Sequence, residues 1–222
     1  MRWFVDNYAA RVNERPVRVL DVGSYDVNGS YRHLYAKPDY EYMGLDVEAG
    51  PNVDIIVARP YEWSELETDA FDIVISGQAL EHIEFFWVTM SEMTRVLKKG
   101  GLLCLIAPLS QGQHRYPVDC YRLLTDGMVA LSRYLTLELL HAHDDCAPSA
   151  NDMSWHDGNI IDSMLIAKKP YTGEPRIVDL STYNCEPEDQ AAIRDELVPA
   201  RPRRVRRLLH RKWRGLSRRL QD

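Results

Sequence analysis

Short apolar runs alternate with polar segments along this chain. Runs rich in β-branched and other apolar residues predict strands at 17–22, 41–46, 53–57, 71–76, 101–107, 134–140 and 163–168. Apolar side chains at 86, 90, 93 and 97 form a helical stripe within residues 84–97, which ends at the segment Lys98-Lys99-Gly100-Gly101. Residues 1–14, with Trp3, Phe4 and Tyr8, predict a helix before the first strand.

The order of these elements indicates the fold class. Alternation of strands and helices up to residue 107 predicts an α/β fold with a Rossmann-like, doubly wound, seven-stranded and mostly parallel sheet. Ligands bind such sheets at the C-terminal edge of the strands. The last two strands are joined by the polar residues 141–162, which lack a strong helical stripe, so we expect an antiparallel last strand. We expect a catalytic domain at 1–170, an acidic linker or extension at 171–200 and a basic amphipathic helix at 201–222.

The end of the first strand has the features of a nucleoside site. Gly23 follows the apolar run and allows a sharp turn into a helix, which Asn28 or Ser30 could cap. Asp46 ends the second strand 23 residues after Gly23. That separation is close to the spacing of roughly 20 residues at which a carboxylate reaches the hydroxyl groups of a ribose.

The same turn disfavours a dinucleotide. A pyrophosphate loop needs a second glycine two residues after the first, but Tyr25 and then Asp26 follow here. S-adenosylmethionine carries adenosine without phosphate, and its cationic sulfonium and ammonium groups suit Asp21, Asp26 and Asp46. We therefore predict this cofactor. The alternative is an ordinary strand-to-helix turn with capping acids.

Composition and charge narrow the possible classes of protein and of binding partner. The chain has 222 residues, is 45% hydrophobic and contains no run of 18 apolar residues or N-terminal signal-peptide pattern, so we expect a cytoplasmic protein. Its four cysteines lack C-x-x-C spacing and are expected to be reduced. Residues 1–200 carry 17 Lys and Arg against 32 Asp and Glu, which argues against nucleic acid as the partner.

The end of the chain has the opposite charge. Residues 201–222 carry 10 Lys and Arg against 1 acidic residue, with apolar residues at helical spacing. Such a basic amphipathic helix could contact anionic lipid as a peripheral anchor, an acidic partner, or the acidic body of the same chain; a solvated tail is the alternative. The sequence leaves the oligomeric state open.

Four segments in order resemble the class I S-adenosylmethionine-dependent methyltransferases, of the kind grouped as methyltransferase type 11. They are residues 17–29, Asp46, 71–83 and 95–104, and the resemblance covers about residues 15–110. It implies that Asp21, Gly23 and Ser24 line the methionine end of the cofactor and Asp46 its ribose. It also implies that the region 58–61, with Tyr61, lies at the adenine, and that Gly77 and Gln78 lie beyond the sulfonium. Tyr25 departs from the family pattern, which usually has a second glycine there.

The acceptor is expected to bind at the long polar loop that follows the fifth strand, residues 107–122. Histidine is the side chain most often used as a general base, and His114 could take that role. Hydrogen bonds to several hydroxyl groups could come from Arg115, Tyr116, Asp119 and Arg122. Glu81 and His82 follow the fourth strand and face the cofactor or acceptor in many relatives. The alternative for this pair is an acid at a helix N-terminus beside an exposed histidine.

Two further groups are candidate ligands for a sugar. Strand alternation would place His141, His143 and Asp145 on one face, as ligands for Mg²⁺ or for a saccharide, and we include Asp144 among the substrate residues. Trp155 could stack on a pyranose ring.

The loop from His114 to Arg122 is similar to that of bacterial methyltransferases of polysaccharide synthesis, including those that methylate mannosides. We therefore expect an O-methyltransferase acting on a carbohydrate hydroxyl. One competing interpretation is an N-methyltransferase, although the chain has Ser76-Gly-Gln-Ala where enzymes that act on nucleic acid or protein amide nitrogens usually carry Asn/Asp-Pro-Pro-aromatic. A non-catalytic cofactor-binding module recruited by the basic tail is a second, and a nicotinamide dehydrogenase is a third.

Overall fold

The structure, a computed structural model, describes residues 1–13, 15–144 and 161–171. Asp145, Trp155, nearly all of the predicted linker 171–200 and the basic segment 201–222 lie outside the described residues. The boundaries proposed for these segments therefore stay predictions. No helix among the described residues is both long enough and apolar enough to cross a membrane.

Seven strands form one sheet in the order β3-β2-β1-β4-β5-β7-β6. β7 is antiparallel to both of its neighbours, and every other neighbouring pair is parallel. This confirms the predicted seven-stranded, mostly parallel sheet with an antiparallel last strand. The strands are β1 (Val17–Val22), β2 (Tyr40–Asp46), β3 (Ile55–Ile56), β4 (Phe71–Gly77), β5 (Leu97–Ser110), β6 (Glu138–Asp144) and β7 (Ile161–Lys168).

Alternate side chains of each central strand enter two separate apolar layers. The helices are α1 (Arg2–Asn7), α2 (Phe86–Val96) and α3 (Thr125–Tyr134). Leu20 and Val74 pack in the layer that contains the buried methionines of α2 and α3. Val19 and Ile73 pack in the layer that contains Phe4 of α1 and the buried Tyr35. Because the strand order reverses between β1 and β4, their C-terminal ends flank the crevice where such sheets bind ligands.

Several predicted boundaries were wrong. α2 ends at Val96, and Lys98 to Gly101 belong to β5. There the Lys98 Nζ atom donates to Asp72 Oδ1 of the neighbouring β4 at 2.7 Å. β6 begins at Glu138, because Tyr134 is the last residue of α3 and residues 135–137 connect α3 to the strand.

The helix predicted after Gly23 is also absent. Between β1 and β2 the structure has only a 3₁₀ turn, Arg32–Tyr35, without a side-chain cap, so neither Asn28 nor Ser30 caps a helix. Asp26 instead accepts a hydrogen bond from the Gly29 amide at 2.7 Å, which stabilises an extended loop. A single turn is sufficient to bury Leu34 and Tyr35 against the sheet.

Candidate active site

The turn after β1 lies directly against the turn after β4. Gly23 has φ of +74°, and a Cβ atom at this position would lie 2.4 Å from the Cβ atom of Ala79. The amides of Gly23 and Ser24 both donate to the Leu45 carbonyl, at 2.9 and 3.1 Å, which joins this turn to β2. Glycine is therefore required here by the backbone conformation and by the close approach of the two turns.

Two aspartates border this turn. Asp21 is buried and accepts a hydrogen bond from the Tyr42 hydroxyl. Burial raises the pKa of Asp21 to about 7, against the Tyr42 hydrogen bond and the charge of Arg32, which lower it. Asp46 accepts hydrogen bonds from the amides of Tyr25, at 3.0 Å, and of Val47, at 2.7 Å. The first of these bonds holds the Gly23 turn against the end of β2.

Asn52 is a residue of this region that the sequence analysis missed. Its side-chain amide donates to the Ser24 carbonyl at 2.9 Å and to the Tyr42 hydroxyl at 3.1 Å, while Arg32 Nε donates to its Oδ1 atom at 2.7 Å. Ser24 is buried, and its hydroxyl donates to the Asn52 carbonyl at 3.4 Å. A lone asparagine in a polar loop gives no sequence signal for this function.

Tyr31 was missed as well, and it covers the end of β4. A Cβ atom on Gly77 would lie 2.3 Å from the Tyr31 hydroxyl oxygen. Burial, together with the charge of Asp21 and weaker effects from other groups, raises the pKa of Tyr31 well above its usual range. Gln78 follows with φ of +57°, is exposed, and donates its amide to the Ile106 carbonyl at 2.9 Å. Gly77 and Gln78 thus lie at the end of β4 beside the crevice, and their place beyond the sulfonium remains a prediction.

The region predicted for adenine contains one buried and one partly exposed ring. Trp63 is 1% exposed and donates its indole N–H to the Pro60 carbonyl at 3.1 Å, so it belongs to the core. Tyr61 is partly exposed and its ring centroid lies 5.4 Å from that of Phe85. Its contact with adenine remains a prediction.

Glu81, His82 and His114 meet at the edge of the sheet. The Oε1 atom of Glu81 lies 3.7 Å from His82 Nε2 and 3.9 Å from His114 Nε2, and the two imidazole rings are perpendicular with centroids 4.9 Å apart. Glu81 is 0% exposed, and neither carboxylate oxygen has a hydrogen-bond partner among the described residues. Burial is the main cause that raises the pKa of Glu81 to about 7.

The alternative interpretation of this pair, an acid at a helix N-terminus beside an exposed histidine, is wrong. α2 begins at Phe86, and Glu81 and His82 belong to a separate 3₁₀ turn, Leu80–His82. The loop after β5 folds back over this turn: the Cys120 amide donates to the Glu81 carbonyl at 2.7 Å, and the Tyr121 hydroxyl donates to the Glu84 carbonyl at 2.7 Å. These bonds bury Glu81.

A bidentate ion pair shapes the loop that carries His114. Arg122 donates to both carboxylate oxygens of Asp119, and also to the carbonyls of Gln111 and Gly112, at 3.2 and 3.0 Å. Asp119 further accepts the His114 amide at 2.7 Å. The Arg122 guanidinium holds the pKa of Asp119 well below its usual range. Both side chains therefore position His114, and their predicted contact with substrate remains a prediction.

The remaining predicted substrate residues lie in two places. Arg115 and Tyr116 are exposed on the same loop. Asp144 accepts the Thr125 hydroxyl at 2.9 Å, and His143 has its ring centroid 6.0 Å from that of His141. His141 also contacts Trp3, at 4.9 Å between centroids. Within the described part of the chain, the one group of three side chains close enough to share a metal ion is Glu81, His82 and His114. Asp145, the third of the predicted Mg²⁺ ligands beside His141 and His143, lies outside the described residues, so that site stays a prediction.

Comparison with known proteins agrees with this geometry. Residues 20–105 match the family described as methyltransferase domain. No curated protein matches the chain significantly. An S-adenosylmethionine-dependent methyltransferase from Methanosarcina mazei is similar in structure, with a TM-score of 0.55 and 14% identity over 75% of this chain and 98% of that one.

Two other solved structures have the same fold. The 1,6-didemethyltoxoflavin-N1-methyltransferase of Burkholderia thailandensis, solved with 1,6-didemethyltoxoflavin and S-adenosylhomocysteine, has a TM-score of 0.55 and 17% identity over 76% of both chains. The [4+2]-cyclase SpnF has a TM-score of 0.58 and 17% identity over 77% of this chain and 82% of that one. At such identities the likeness establishes the fold, which is the Rossmann-like fold of methyltransferases. The match to the methyltransferase domain covers residues 20–105, which is fewer than half of the residues of the chain.

Proposed function

We propose that this protein transfers the methyl group of S-adenosylmethionine to a hydroxyl group of a carbohydrate. The observation that carries the proposal is the cluster of His114, His82 and the buried Glu81 at the C-terminal edge of the sheet. A neutral hydroxyl group is a weak nucleophile, so its methylation benefits from a group that removes the proton. A nitrogen or sulfur acceptor needs this assistance less.

The residues around the β1 turn fit the cofactor chemically. When bound, S-adenosylmethionine supplies a methyl group activated on a sulfonium. Asp21 is a buried carboxylate near the turn and would favour the cationic methionine end, and Asp46 has oxygen atoms suited to ribose hydroxyls. The side chain of Tyr25 does not prevent this, because its ring packs over Gly50, where a Cβ atom would lie 2.1 Å from a ring carbon.

His114 is the residue that we propose accepts the acceptor proton. Its Nδ1 atom lies 3.5 Å from Asp119 Oδ2 and 3.3 Å from the Gly112 carbonyl, and its Nε2 atom lies on the side of Glu81. A carboxylate on each side stabilises the imidazolium that forms when the proton is accepted. The His114 side chain is 35% exposed, so an acceptor can reach it from solvent.

Aromatic side chains beside the cluster support an acceptor with a ring. We call Phe85, Phe86, Trp87 and Tyr121 the aromatic ledge. Their rings are in mutual edge-to-face contact, with centroids 4.9 to 6.4 Å apart. Phe85 and Trp87 are 48% and 38% exposed, a large apolar exposure that suits the apolar face of a sugar ring. The acidic charge of residues 1–200 further favours a saccharide over nucleic acid.

The test is a panel of saccharides with methyl-labelled cofactor and mass-spectrometric location of the methyl group. We expect an O-methylated saccharide from the wild-type protein. His114→Ala should abolish turnover and leave the affinity for S-adenosylhomocysteine unchanged. His33→Gln is the matched control, because His33 is an exposed histidine outside the cluster.

The ledge would also accept a flat heteroaromatic amine, which is the second candidate acceptor. Because such an amine already has an available lone pair, methylation of amines with undiminished rate in His114→Ala would replace our proposal by an N-methyltransferase.

A further inference from the structure

We infer that Glu81, His82 and His114 form a binding site for one divalent transition-metal ion. The donor atoms of the three side chains lie within 4.8 Å of one another. Two imidazole nitrogens and one carboxylate oxygen are a common ligand set for such ions. Four further observations support a built site over a chance cluster.

The spacing of the donors is close to that around a bound ion. Glu81 Oε1 lies 3.7 Å from His82 Nε2 and 3.9 Å from His114 Nε2. With metal–ligand bonds of about 2.1 Å, two ligand atoms at a tetrahedral angle are roughly 3.4 Å apart. The two pairs that include Glu81 therefore lie within about 0.5 Å of that spacing, and all three donor atoms lie within 4.8 Å of one another.

The burial of Glu81 favours a cation as its partner. Its side chain is 0% exposed, and both carboxylate oxygens lack a hydrogen-bond partner in the part of the chain that the structure describes. Buried polar groups are nearly always paired, and a buried carboxylate is especially unfavourable alone. The two histidines approach Glu81 at distances too long for hydrogen bonds, so a shared ion between the three would satisfy it.

Outer hydrogen bonds fix both imidazoles in the orientation that a ligand needs. His82 Nδ1 lies 2.6 Å from the Val118 carbonyl, which can only accept, so Nδ1 carries the proton and the lone pair of Nε2 is directed toward the cluster. His114 Nδ1 lies near the acceptors Asp119 Oδ2 and the Gly112 carbonyl, which leaves its Nε2 atom as the ligand. Metal-ligating histidines almost always have such a partner on the second ring nitrogen.

The donor set and the exposure decide the class of ion. Mg²⁺ and Ca²⁺ prefer oxygen ligands, whereas imidazole suits Zn²⁺, Co²⁺ and similar ions. Three protein ligands leave at least one coordination position open, and partial exposure of His114 makes that position accessible from solvent. This is the arrangement of a catalytic metal site, whereas a structural site is fully ligated.

The role of the ion, unlike its binding, rests on the proposed function. An acceptor hydroxyl bound at the open position through its oxygen would lose its proton to solvent more readily. That oxygen would form the new bond to the methyl carbon, while the electrons of the breaking carbon–sulfur bond remain on sulfur. The proton transfer to His114 proposed above therefore belongs to the metal-free protein. With the ion bound, His114 would serve as a ligand, and the acceptor proton would pass to solvent instead.

The test is titration of the chelator-treated full-length protein with Co²⁺, followed by visible absorption and by calorimetry. We expect one equivalent to bind with a d–d band, Zn²⁺ to displace it, and Mg²⁺ at millimolar concentration to leave it in place. Glu81→Gln and His114→Ala should each weaken binding by more than about 100-fold. His33→Gln is the control for loss of a histidine as such, and thermal unfolding of every variant checks that it is folded.

The outcomes separate the two proposals. Absence of the band in the wild-type protein, or equal Co²⁺ affinity in a folded His114→Ala variant, would overturn the metal site whatever the acceptor is. Metal binding that depends on Glu81 and His114, without methylation of any saccharide, would support the site and count against the carbohydrate function alone.

Discussion

Replacement of Gly23 by alanine tests whether the contact between the β1 and β4 turns forms the crevice. Two costs arise from the structure. The residue has φ of +74°, a conformation that costs a residue with a Cβ atom about 1–2 kcal/mol. The new methyl group would also lie 2.4 Å from Ala79 Cβ, whereas carbon atoms in contact are about 3.5–4.0 Å apart.

Relief of this overlap requires the two turns to separate by more than about 1 Å. Overpacking of this kind costs about 1–3 kcal/mol, so the expected loss in free energy of unfolding is about 2–5 kcal/mol in total. Because the turns border the proposed cofactor site, the affinity for S-adenosylhomocysteine should fall as well. The two costs can be separated, because only the overlap depends on Ala79.

Urea unfolding and calorimetric titration of Gly23→Ala, Ala79→Gly and the double variant would measure both terms. The double variant should recover the cost of the overlap and retain only that of the backbone conformation, giving a coupling energy of about 1–3 kcal/mol. Gly29→Ala is a matched control, since Gly29 has φ of +122° but its Cβ would meet no atom within 4 Å. Additive effects of the two substitutions would refute our account of this contact.

Three other predictions concern single side chains. The pKa of the Asp21 carboxyl is raised from 3.8 to about 7, so the folded state binds a proton at Asp21 more tightly than the unfolded state does. The stability that this proton contributes is therefore full below about pH 4 and is lost as pH rises through 7. Urea unfolding at pH 5 and 8 should therefore show Asp21→Asn to be more stabilising at pH 8, and an equal effect at both pH values would contradict this. Lys169→Met should lower the free energy of unfolding in urea by about 3–5 kcal/mol. The buried Lys169 ammonium donates to Asp69 at 2.7 Å and to the carbonyls of Thr94 and Leu97 at 2.8 and 2.7 Å. A loss under about 1 kcal/mol would be inconsistent with that role. Arg122→Gln should lower kcat at least about tenfold through misplaced His114 and leave S-adenosylhomocysteine affinity unchanged, and unchanged kcat would remove the loop from the mechanism.

The central strands could be predicted because their burial is local in sequence. β1 and β4 are buried over nearly their whole length, and continuous apolar runs indicate this directly. The segment after Gly23 could not be predicted in the same way. Its apolar residues are few, and whether they form a helix or a single turn depends on the space between the sheet and α1, which only the tertiary structure defines.

The residues of the candidate site could be predicted from the sequence, but the burial of Glu81 among them could not. His114, His82 and Glu81 were identified because they follow strands at the ligand-binding edge of the sheet. The loop that covers Glu81 is held by a hydrogen bond from Cys120 to Glu81 and by one from Tyr121 to Glu84. These bonds join residues 39 and 37 positions apart along the chain, which no local pattern encodes. Tyr31 gave no signal for the same reason, because it packs against Gly77, which lies 77 − 31 = 46 residues further along the chain.

Each side of the crevice carries one buried carboxylate. Asp21 lies at the β1 side of the crevice and Glu81 at the β4 side, and both are buried carboxylates without a cation in direct contact among the described residues. The charges of both also raise the pKa of Tyr31. Burial of two such acids opposes folding, and a cationic ligand at each would offset that cost. Folding has already removed water from both carboxylates. A sulfonium cofactor near Asp21 and a metal ion at Glu81 would therefore each bind more tightly, and this one physical cause explains why both acids are buried.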